Sequence, residues 1–364
     1  MSATPSSPAA TARAATAAAP RNVTRSARPT AWLGAVGVAA VVVLAFMPSL
    51  VSQADTSVLL NFFILLTMAS MWNLLAGYAG MVSIGQQAFV GLGAYGVLVL
   101  ADSGVNPVAA IPVAAVLCAA LSVPISLLVF RLRGGYFAIA TWVVADAASL
   151  VVSSIGSIGG GTGKPVPGMS SLSPKSFEEV TYWAALAVVV CAVGITYALL
   201  RSRLGLVLAA VRDNEVGARS AGVRVVTARR IVYLVAALGC GAAGALLAVS
   251  QLNVQPASVF NVQWSAEMIF VTMIGGIGTI EGPILGTVVF FLLQQNLAHD
   301  GAWYLIIFGA LAVAIAIWAP RGLWGTATGK LRVQLFPVGF YVGRTRRRDR
   351  RTEAPPPTPA SPAA

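Results

Sequence analysis

The residues best suited to chemistry in this sequence are concentrated in one segment, AAVRDNEVGARSAGVRVVTARRIVYL at 209–234. Outside the two tails, charges gather like this almost nowhere else. Arginine and carboxylate side chains at this spacing can pair with one another, cap a short helix or bind a charged surface. They form no catalytic cluster, so the segment is predicted to make contacts rather than to carry out covalent chemistry.

Catalytic and metal sites are largely excluded by the counts of histidine and cysteine. The chain has one histidine, His299, and three cysteines, Cys118, Cys191 and Cys240, each inside an apolar run. Such cysteines suit packing rather than a disulfide framework or a metal site. No G-x-x-x-x-G-K-[ST] run occurs, so no nucleotide site is expected. We predict no cofactor, no metal and no enzymatic activity in this chain.

The composition indicates a membrane protein. Of 364 residues, 57% are hydrophobic and only 10% are charged, whereas about 25% charged residues is usual in soluble domains. A bilayer core needs roughly 20 apolar residues per helix, and fewer where a helix is broken inside the protein. We predict an all-α polytopic protein with about ten transmembrane helices within residues 31–320. The candidate segments, two of them short, are 31–51, 57–76, 82–101, 107–130, 136–154, 182–200, 231–250, 266–280, 282–298 and 302–319.

The basic residues predict the orientation of these helices. With both termini in the cytoplasm, 22 of the 24 lysines and arginines lie inside, and only Lys164 and Lys175 lie outside. This is the asymmetry that the positive-inside rule describes. The charged loop 201–230 is thereby placed in the cytoplasm.

Most of the net charge of +12 resides in the two tails. Residues 1–30 and 321–364 have too few large apolar groups to offset chain entropy, so both are predicted to be basic and disordered. The run RTRRRDRR at 344–351 is predicted to lie near anionic membrane lipid. No nucleic-acid binding is expected, because neither aromatic residues nor a fold surround that run.

The charged loop is predicted to contain a short helix from about Asn214 to Ala221, closed by Gly222. Small residues at i, i+3, i+4 and i+7 form one face, and Glu215 and Arg219 are spaced to pair on another. The simplest alternative to a binding role is that this segment is a solvated loop, whose polar residues only keep it in water. A helix without an apolar face, however, is not held by burial against its own protein, so a partner surface or lipid headgroups are expected to hold it. The residues assigned to this contact are Arg212, Asp213, Asn214, Glu215, Gly217, Ala218, Arg219 and Gly222.

Two glycine-rich segments inside apolar regions predict breaks or close approaches of helices: GYAGMVSIGQQAFVGLGAYG at 77–96 and GGIGTIEGP at 275–283. Close helix packing alone is one explanation. The functional alternative is a pair of discontinuous helices that line a translocation path. Both segments lie towards the cytoplasmic side in the predicted topology, which suits gating or packing. The candidate path or gate residues are Ser83, Gln86, Gln87, Thr141, Asp146, Gly275, Gly276 and Gly278.

Asp146 is the only acid in the middle of an apolar run, ATWVVADAASL. A charge at the bilayer centre costs roughly 2.5–3.5 kcal/mol, so Asp146 must face protein or water. Glu267 and Glu281 are expected to be interfacial. In the span after the charged loop, small residues at every fourth position predict close helix packing. They are Ala236, Cys240, Gly244 and Ala248, and Ala237, Gly241 and Ala245.

Several stretches together resemble one known family. LAAVRDNEVGARSAGVRVVTARRIVYLVAALGCGAAGAL at 208–246, GYAGMVSIGQQAFVGLGAY at 77–95 and MIGGIGTIEGPILGT at 273–287 are similar to permease subunits of the branched-chain amino acid class of ABC importers. GGYFAIATWVVADA followed by GGGTGKPVPG resembles the same family more loosely. Two positions depart from the pattern: the family often has glutamate where this chain has Asp146, and usually an apolar residue where it has Lys164. Because Lys164 lies outside in the predicted topology, it is expected to contact a binding protein or the membrane periphery.

The resemblance implies a role and a set of partners. A permease of this family pairs with a second, related permease, two cytoplasmic ATPases and an extracytoplasmic solute-binding protein in a bacterial cell membrane. Arg212 to Gly222 would then transmit ATPase closure to the membrane helices. Branched-chain or other small polar amino acids are the expected solutes, with urea or short amides as alternatives. The rival interpretation is a self-contained secondary transporter driven by an ion gradient through Asp146.

Overall fold

The structure is a computed structural model and describes residues 23–24, 28–50, 52–168, 173–297, 303–319, 321–331 and 341–342. These residues are mostly helical, and four two-residue strands form two antiparallel pairs, β1 with β4 and β2 with β3. In chain order the elements are β1 Val23–Thr24, α1 Arg28–Phe46, α2 Gln53–Asn73, α3 Gln87–Asp102, α4 Pro107–Val129, α5 Gly135–Ser154, β2 Lys164–Pro165, α6 Pro174–Arg201, α7 Arg203–Asp213, α8 Glu215–Ser220, α9 Val225–Gln251, β3 Asn253–Val254, α10 Pro256–Val259, α11 Val262–Gly275, α12 Glu281–Leu297, α13 Trp303–Trp318, α14 Gly322–Leu331 and β4 Tyr341–Val342.

A helix lies over each of the ten apolar segments, which confirms an all-α polytopic membrane protein. Among the described residues, six helical stretches are long and apolar enough to cross a membrane: Gln53–Tyr78, Pro107–Val129, Gly135–Ser154, Lys175–Arg201, Val225–Gln251 and Ile306–Thr326. The count of ten spans and the side on which each terminus lies stay predictions. Most of both predicted tails, the RTRRRDRR run and His299 lie outside the described residues.

The two central helices are α2 and α9. In each of them, 78% of the residues in the most apolar 18-residue stretch are buried inside the protein, compared with 28% in α5. The predicted small faces of α9 are confirmed, because Ala236 and Cys240 are fully buried and a Cβ at Gly244 would clash with the Val90 carbonyl of α3. Close contact without bulky side chains is what such faces provide.

Both predicted breaks are present. After α2, a π-helical turn at Leu74–Tyr78 ends the helix, and residues 80–86 are not helical before α3 begins at Gln87. The second break separates α11 from α12 over residues 276–280. In each region the backbone leaves the helical hydrogen-bonding pattern inside the bundle, where other protein groups must satisfy it.

The loop after α5 is tied to the end of α9 through the β2–β3 pair, in which Lys164 lies opposite Val254. The Val166 amide extends this link by donating to the Leu252 carbonyl at 3.0 Å. The Lys164 ammonium also pairs with the Asp102 carboxylate at the end of α3, at 2.7 Å. Lys164 therefore has a partner within the chain that the sequence did not reveal.

Candidate functional site

The short helix predicted in the charged loop is present as α8. Asn214 caps it, since the side-chain Oδ1 accepts a hydrogen bond from the Gly217 amide at 2.9 Å. Beyond Ser220 the chain turns at Gly222, whose φ of +81° lies in the left-handed region that glycine adopts without steric cost. The extent of the helix and its closing glycine are as predicted.

α8 is attached to its own protein, contrary to the prediction that a partner or headgroups must hold it. Ala218 is buried with Val211 of α7 and Val225 of α9, and Glu215 bridges to Arg229 of α9 at 2.9 Å. The prediction was wrong because it considered the surface of α8 alone. The neighbouring helices supply the apolar surface that α8 lacks.

The outward side of α8 remains open to a partner. Asp213, Gly217 and Arg219 are exposed, and the Val216 side chain is 75% exposed. α8 is therefore a small projection that is fixed on one side and accessible on the other.

The carboxylate of Glu215 is the electrostatic anchor of this projection. Desolvation raises its pKa, but the charges of Arg229, Arg219 and Arg133 outweigh desolvation and leave the pKa below its ordinary value. Arg219 adds an i,i+4 salt bridge at 2.6 Å. Glu215 therefore stays ionised at neutral pH and keeps α8 attached to α9.

Arg212, at the end of α7, connects the charged loop with both glycine-rich segments. Its Nη1 donates to the Gly77 carbonyl at 2.7 Å, and a Cβ at Gly278 would lie 3.1 Å from the same nitrogen. One guanidinium thus touches the end of α2 and the turn between α11 and α12. Three motifs that are far apart in the sequence meet at this side chain.

Asn73, which the sequence analysis missed, joins the same two segments directly. Its Nδ2 donates to the Thr279 carbonyl at 2.7 Å, and its Oδ1 accepts from the Gly278 amide at 2.8 Å. A Cβ at Gly77 would lie 2.5 Å from the Gly278 nitrogen, so the two backbones approach this closely because residue 77 has no side chain. Gly278 has a φ of +79°, which favours glycine. We refer to Asn73, Gly77, Arg212, Gly278 and Thr279 as the glycine junction.

Gly275 and Gly276 shape the turn beside the glycine junction. A Cβ at Gly275 would clash with the Gly282 carbonyl at the start of α12. Gly276 has a φ of +129°, and its carbonyl accepts from the Thr279 hydroxyl at 2.8 Å. These two glycines permit the sharp reversal from α11 to α12, which is a structural role next to the junction.

The polar residues of the first glycine-rich segment form a second, buried group. Gln86 donates to the Ser83 hydroxyl at 3.2 Å, and the Ile84 amide donates to the Thr141 hydroxyl of α5 at 3.2 Å. Ser265 of α11, which the sequence analysis also missed, donates to the side-chain oxygen of Gln87. We refer to Ser83, Gln86, Gln87, Thr141 and Ser265 as the polar cluster.

Two amide atoms of the polar cluster, Oε1 of Gln86 and Nε2 of Gln87, have no hydrogen-bond partner among the described residues. Both side chains are fully buried. Leaving such a group unpaired costs about 1–3 kcal/mol, so an unpaired buried amide needs a functional or structural reason. The polar cluster therefore has one free acceptor and one free donor for a polar solute or for water.

The glycine junction and the polar cluster lie at different levels of the bundle. Ser265 of the cluster and Gly275 beside the junction both belong to α11, and ten residues of α-helix extend about 15 Å. Gly77 and Gly278 lie next to Arg212 of the charged loop. The placement of residues 83–87 towards the cytoplasmic side stays a prediction.

Asp146 is not part of either group. It lies five residues beyond Thr141 on α5, on an exposed side of the helix that also carries Val143 and Leu150. No described residue pairs with it in a salt bridge. Since a carboxylate facing hydrocarbon is costly, Asp146 needs a polar partner or water on this face of α5.

Metal-ligating residues are dispersed in the part of the chain that the structure describes. No group of three or more histidine, cysteine, aspartate or glutamate side chains that would hold a metal ion occurs there. Cys118, Cys191 and Cys240 are free thiols. The glycine junction and the polar cluster consist of side-chain amides, hydroxyls, one guanidinium and backbone groups, which can bind and position a polar partner.

Comparison with known proteins identifies relatives of the chain. Residues 56–316 match the family described as branched-chain amino acid transport system / permease component. The chain is 25% identical over 323 residues to the high-affinity branched-chain amino acid transport system permease protein LivM of Salmonella typhimurium, covering 81% of this chain and 76% of that protein. It is 25% identical over 324 residues to LivM of Escherichia coli, covering 82% and 76%.

No solved structure matches the chain. The family match nevertheless covers α2 to α13, and with them the charged loop, the glycine junction and the polar cluster. The chain therefore belongs to the family of branched-chain amino acid transport permeases.

Proposed function

We propose that the chain is one membrane-spanning subunit of an ATP-driven importer for branched-chain or other small polar amino acids. Its partners are two cytoplasmic ATPases, a second related permease and an extracytoplasmic solute-binding protein. Urea or short amides are the alternative cargo. The relatives named above belong to high-affinity branched-chain amino acid transport systems, which supports this class of solute.

The observation that carries the proposal is the contact of Arg212 with both breaks. The loop 201–230 has no apparent catalytic use of its own, yet its guanidinium bonds to Gly77 at 2.7 Å and approaches Gly278. A force applied to the loop by a cytoplasmic partner would reach the ends of α2, α11 and α12 at once. Coupling between two sites requires such a physical connection to elements that move.

The outward side of α8 is the surface offered to the ATPase. It is small, and it is braced against α9 by the Glu215–Arg229 bridge at 2.9 Å. Pressure on α8 is therefore passed to α7 and α9 rather than absorbed by a loose loop. α7 ends immediately before α8 and carries Arg212, so the glycine junction moves with it.

The effect on the translocation path follows from the elements that the junction shares with the polar cluster. Trp72, next to Asn73, donates its indole N–H to the Ser83 carbonyl at 2.8 Å, and α11 carries Ser265. A shift at the junction would thus alter the positions of Ser83 and Ser265. We assign the polar cluster to the gate or path, with the unpaired amide atoms of Gln86 and Gln87 as contacts for the passing solute.

The second permease is the partner assigned to the exposed face of α5. This face carries Asp146 in an otherwise apolar helix, and α5 is among the least buried helices in the described part of the chain. A neighbouring membrane subunit, or a water-filled path between the two, would remove the carboxylate from lipid. The basic C-terminal run at 344–351 is assigned to anionic lipid at the cytoplasmic surface.

The test is purification of the chain from its native membrane in mild detergent, followed by mass spectrometry and reconstitution. We expect recovery of P-loop ATPases with a second permease, and amino acid uptake that requires both ATP and the binding protein. A chain that is recovered alone and transports without ATP after reconstitution would be a secondary transporter, and the proposal would be rejected.

A further inference from the structure

α5 presents a continuous face to the outside of the bundle. Tyr136, Ile139, Val143, Asp146 and Leu150 follow one another at intervals of three, four, three and four residues. Ile139, Val143 and Leu150 are each between 56% and 71% exposed, and Asp146 is exposed as well. Alternating intervals of three and four place side chains in one line along a helix, as in the seam along which two helices pack. We refer to these five residues as the α5 seam.

The opposite side of α5 is fixed to its own protein. Ala138, Thr141 and Ala145 are buried, and the Thr141 hydroxyl accepts a hydrogen bond from the Ile84 amide at 3.2 Å. A Cβ at Gly85 would clash with the Thr141 carbonyl, so the two backbones are in close contact there. The α5 seam is therefore held on a helix of fixed position, which lowers the cost of packing another helix against it.

Asp146 interrupts the apolar surface of the α5 seam near the middle of the helix. It is the twelfth of the twenty residues of α5, and the nearer end, at Ser154, is eight residues or about 12 Å of helix away. The short aspartate side chain does not span that distance to the headgroups, as a long lysine or arginine side chain can. No described lysine or arginine forms a salt bridge with Asp146. The carboxylate therefore needs a partner at its own depth.

Neither lipid nor a water-filled path satisfies the whole α5 seam. Lipid suits Ile139, Val143 and Leu150 but leaves the carboxylate in hydrocarbon. Water suits the carboxylate but would also wet the large apolar side chains on both sides of it, which is unfavourable. A membrane helix with an apolar face and one polar group opposite Asp146 satisfies every residue of the seam.

A second copy of this chain would not supply that polar group. Two copies inserted in the same orientation are related by a rotation about an axis along the membrane normal, so equivalent residues lie at the same depth. Packing α5 against α5 would therefore bring two Asp146 carboxylates together, and like charges repel more strongly where the dielectric constant is low. A lysine or arginine at the same depth on a different chain has the complementary charge.

We propose that the α5 seam packs against a membrane helix of a different chain, and that this helix carries a lysine or arginine opposite Asp146. The inference rests on the proposed function, in which that chain is the second permease. It adds the kind of contact and the charge that the second permease must supply. One polar contact inside an apolar seam selects which helices associate and in which register. Asp146 is thus the residue that selects the partner.

The first experiment places the photo-crosslinking residue p-benzoylphenylalanine at Val143 of the full chain in its native membrane. Val143 lies one helical turn from Asp146, so the carboxylate itself stays intact. The same residue at Leu121 is the matched control, because Leu121 is 45% exposed on α4, which has no charged residue. Mass spectrometry identifies the crosslinked peptides. We expect the probe at Val143 to capture a different membrane chain, at a helix with a lysine or arginine inside its apolar run, and the probe at Leu121 not to capture it.

The second measurement is the association constant of the two chains in mild detergent. Asp146→Glu keeps the charge and should associate as the wild type does. Asp146→Leu makes the α5 seam entirely apolar but leaves the partner's charge unpaired. Its association constant should fall about three- to thirtyfold, the range for polar contacts between membrane helices. If Asp146→Leu does not insert, the crosslinking at Val143 still decides, because it uses the native carboxylate.

The outcomes separate this inference from the proposed function. Crosslinking between two copies of this chain, capture of no protein at Val143, or a captured helix without lysine or arginine would each overturn the inference. An association constant that is equal in Asp146→Leu and the wild type would do the same. ATP-driven uptake can remain intact in all of these cases. A captured chain that has the basic residue but is unrelated to permeases would support the contact and reject the assignment of that chain as a second permease.

Discussion

Replacing Arg212 with alanine tests whether the glycine junction transmits force from the ATPases. The substitution removes the 2.7 Å hydrogen bond to the Gly77 carbonyl and the contact with Gly278. It leaves α7 and α8 in place, because Ala218 and Glu215 hold the loop independently. The expected effect is therefore on coupling rather than on folding.

The magnitude follows from the bond and its exposure. A hydrogen bond to a charged group contributes about 1.5–3 kcal/mol, but the Arg212 side chain is 48% exposed, and solvent screening weakens such interactions. The lower end, about 1.5 kcal/mol, corresponds to roughly a tenfold change in an equilibrium constant. We expect the solute transported per ATP hydrolysed to fall by about this factor.

The assay measures uptake and ATP hydrolysis in the same proteoliposomes that contain the complete importer. Arg224→Ala is the matched control, since Arg224 lies in the same loop, is exposed, and makes no side-chain salt bridge among the described residues. An unchanged ratio of transport to hydrolysis in Arg212→Ala would refute the reasoning. An equal loss in Arg224→Ala would show that only the charge of the loop matters.

Three further predictions concern the loop and α5. Gly217→Arg should leave the permease complex assembled but prevent ATPase docking, because Gly217 is exposed. Ala218→Arg should also displace α8, because Ala218 is buried. Binding of purified ATPase, together with limited proteolysis of the loop, distinguishes the two variants. Asp146→Asn should lower uptake, and uptake should not depend on a proton gradient in either the wild type or the variant. A steep pH dependence of uptake found only in the wild type would favour an ion-coupled mechanism. Because the pKa of Glu215 is lowered in the folded state, its bridge stabilises α8 above the ordinary carboxyl pKa and is lost as pH falls through the lowered value. Hydrogen exchange of residues 215–222, corrected for intrinsic rates, should show this loss, and Glu215→Gln should abolish its pH dependence.

Local features of the fold could be predicted from the sequence because they depend on neighbouring residues. The apolar runs predict the helices, the spacing of Gly244 and Cys240 predicts close packing of α9, and Asn214 with Gly222 delimits α8. Each follows from helical periodicity or from the backbone preferences of one or two residues. The glycine-rich segments likewise predict where the helices break.

The contacts between these features could not be predicted in the same way. Asn73 and Gly278 are separated by 205 positions, and Gln87 and Ser265 by 178. Periodicity within one helix contains no information about which distant turn lies against it. Asn73 did offer a signal, since an amide in the apolar run ASMWNLLAG is unusual in the way that Asp146 is.

The errors concern surfaces rather than elements. Ala218 was predicted to contact a partner protein or lipid headgroups, because α8 was considered alone. In the structure, Val211 and Val225 of two neighbouring helices pack against it. Glu267 was expected to be interfacial, which stays a prediction, but its burial to 6% exposure was not foreseen. The burial of a side chain depends on which helices pack around it, so it cannot be predicted from the residues of one helix alone.

The closest approach in the glycine junction depends on the lack of a side chain at Gly77, and this decides how mutagenesis can detect it. Scanning with alanine normally reveals a contact by deleting atoms, but at Gly77 and Gly278 there are no side-chain atoms to delete. Alanine there is an enlargement, and the added methyl group at Gly77 would lie 2.5 Å from the Gly278 nitrogen. An alanine scan therefore tests Gly77 by adding atoms rather than by removing them, so a loss of activity there would report a clash between two backbones and not a deleted side-chain contact.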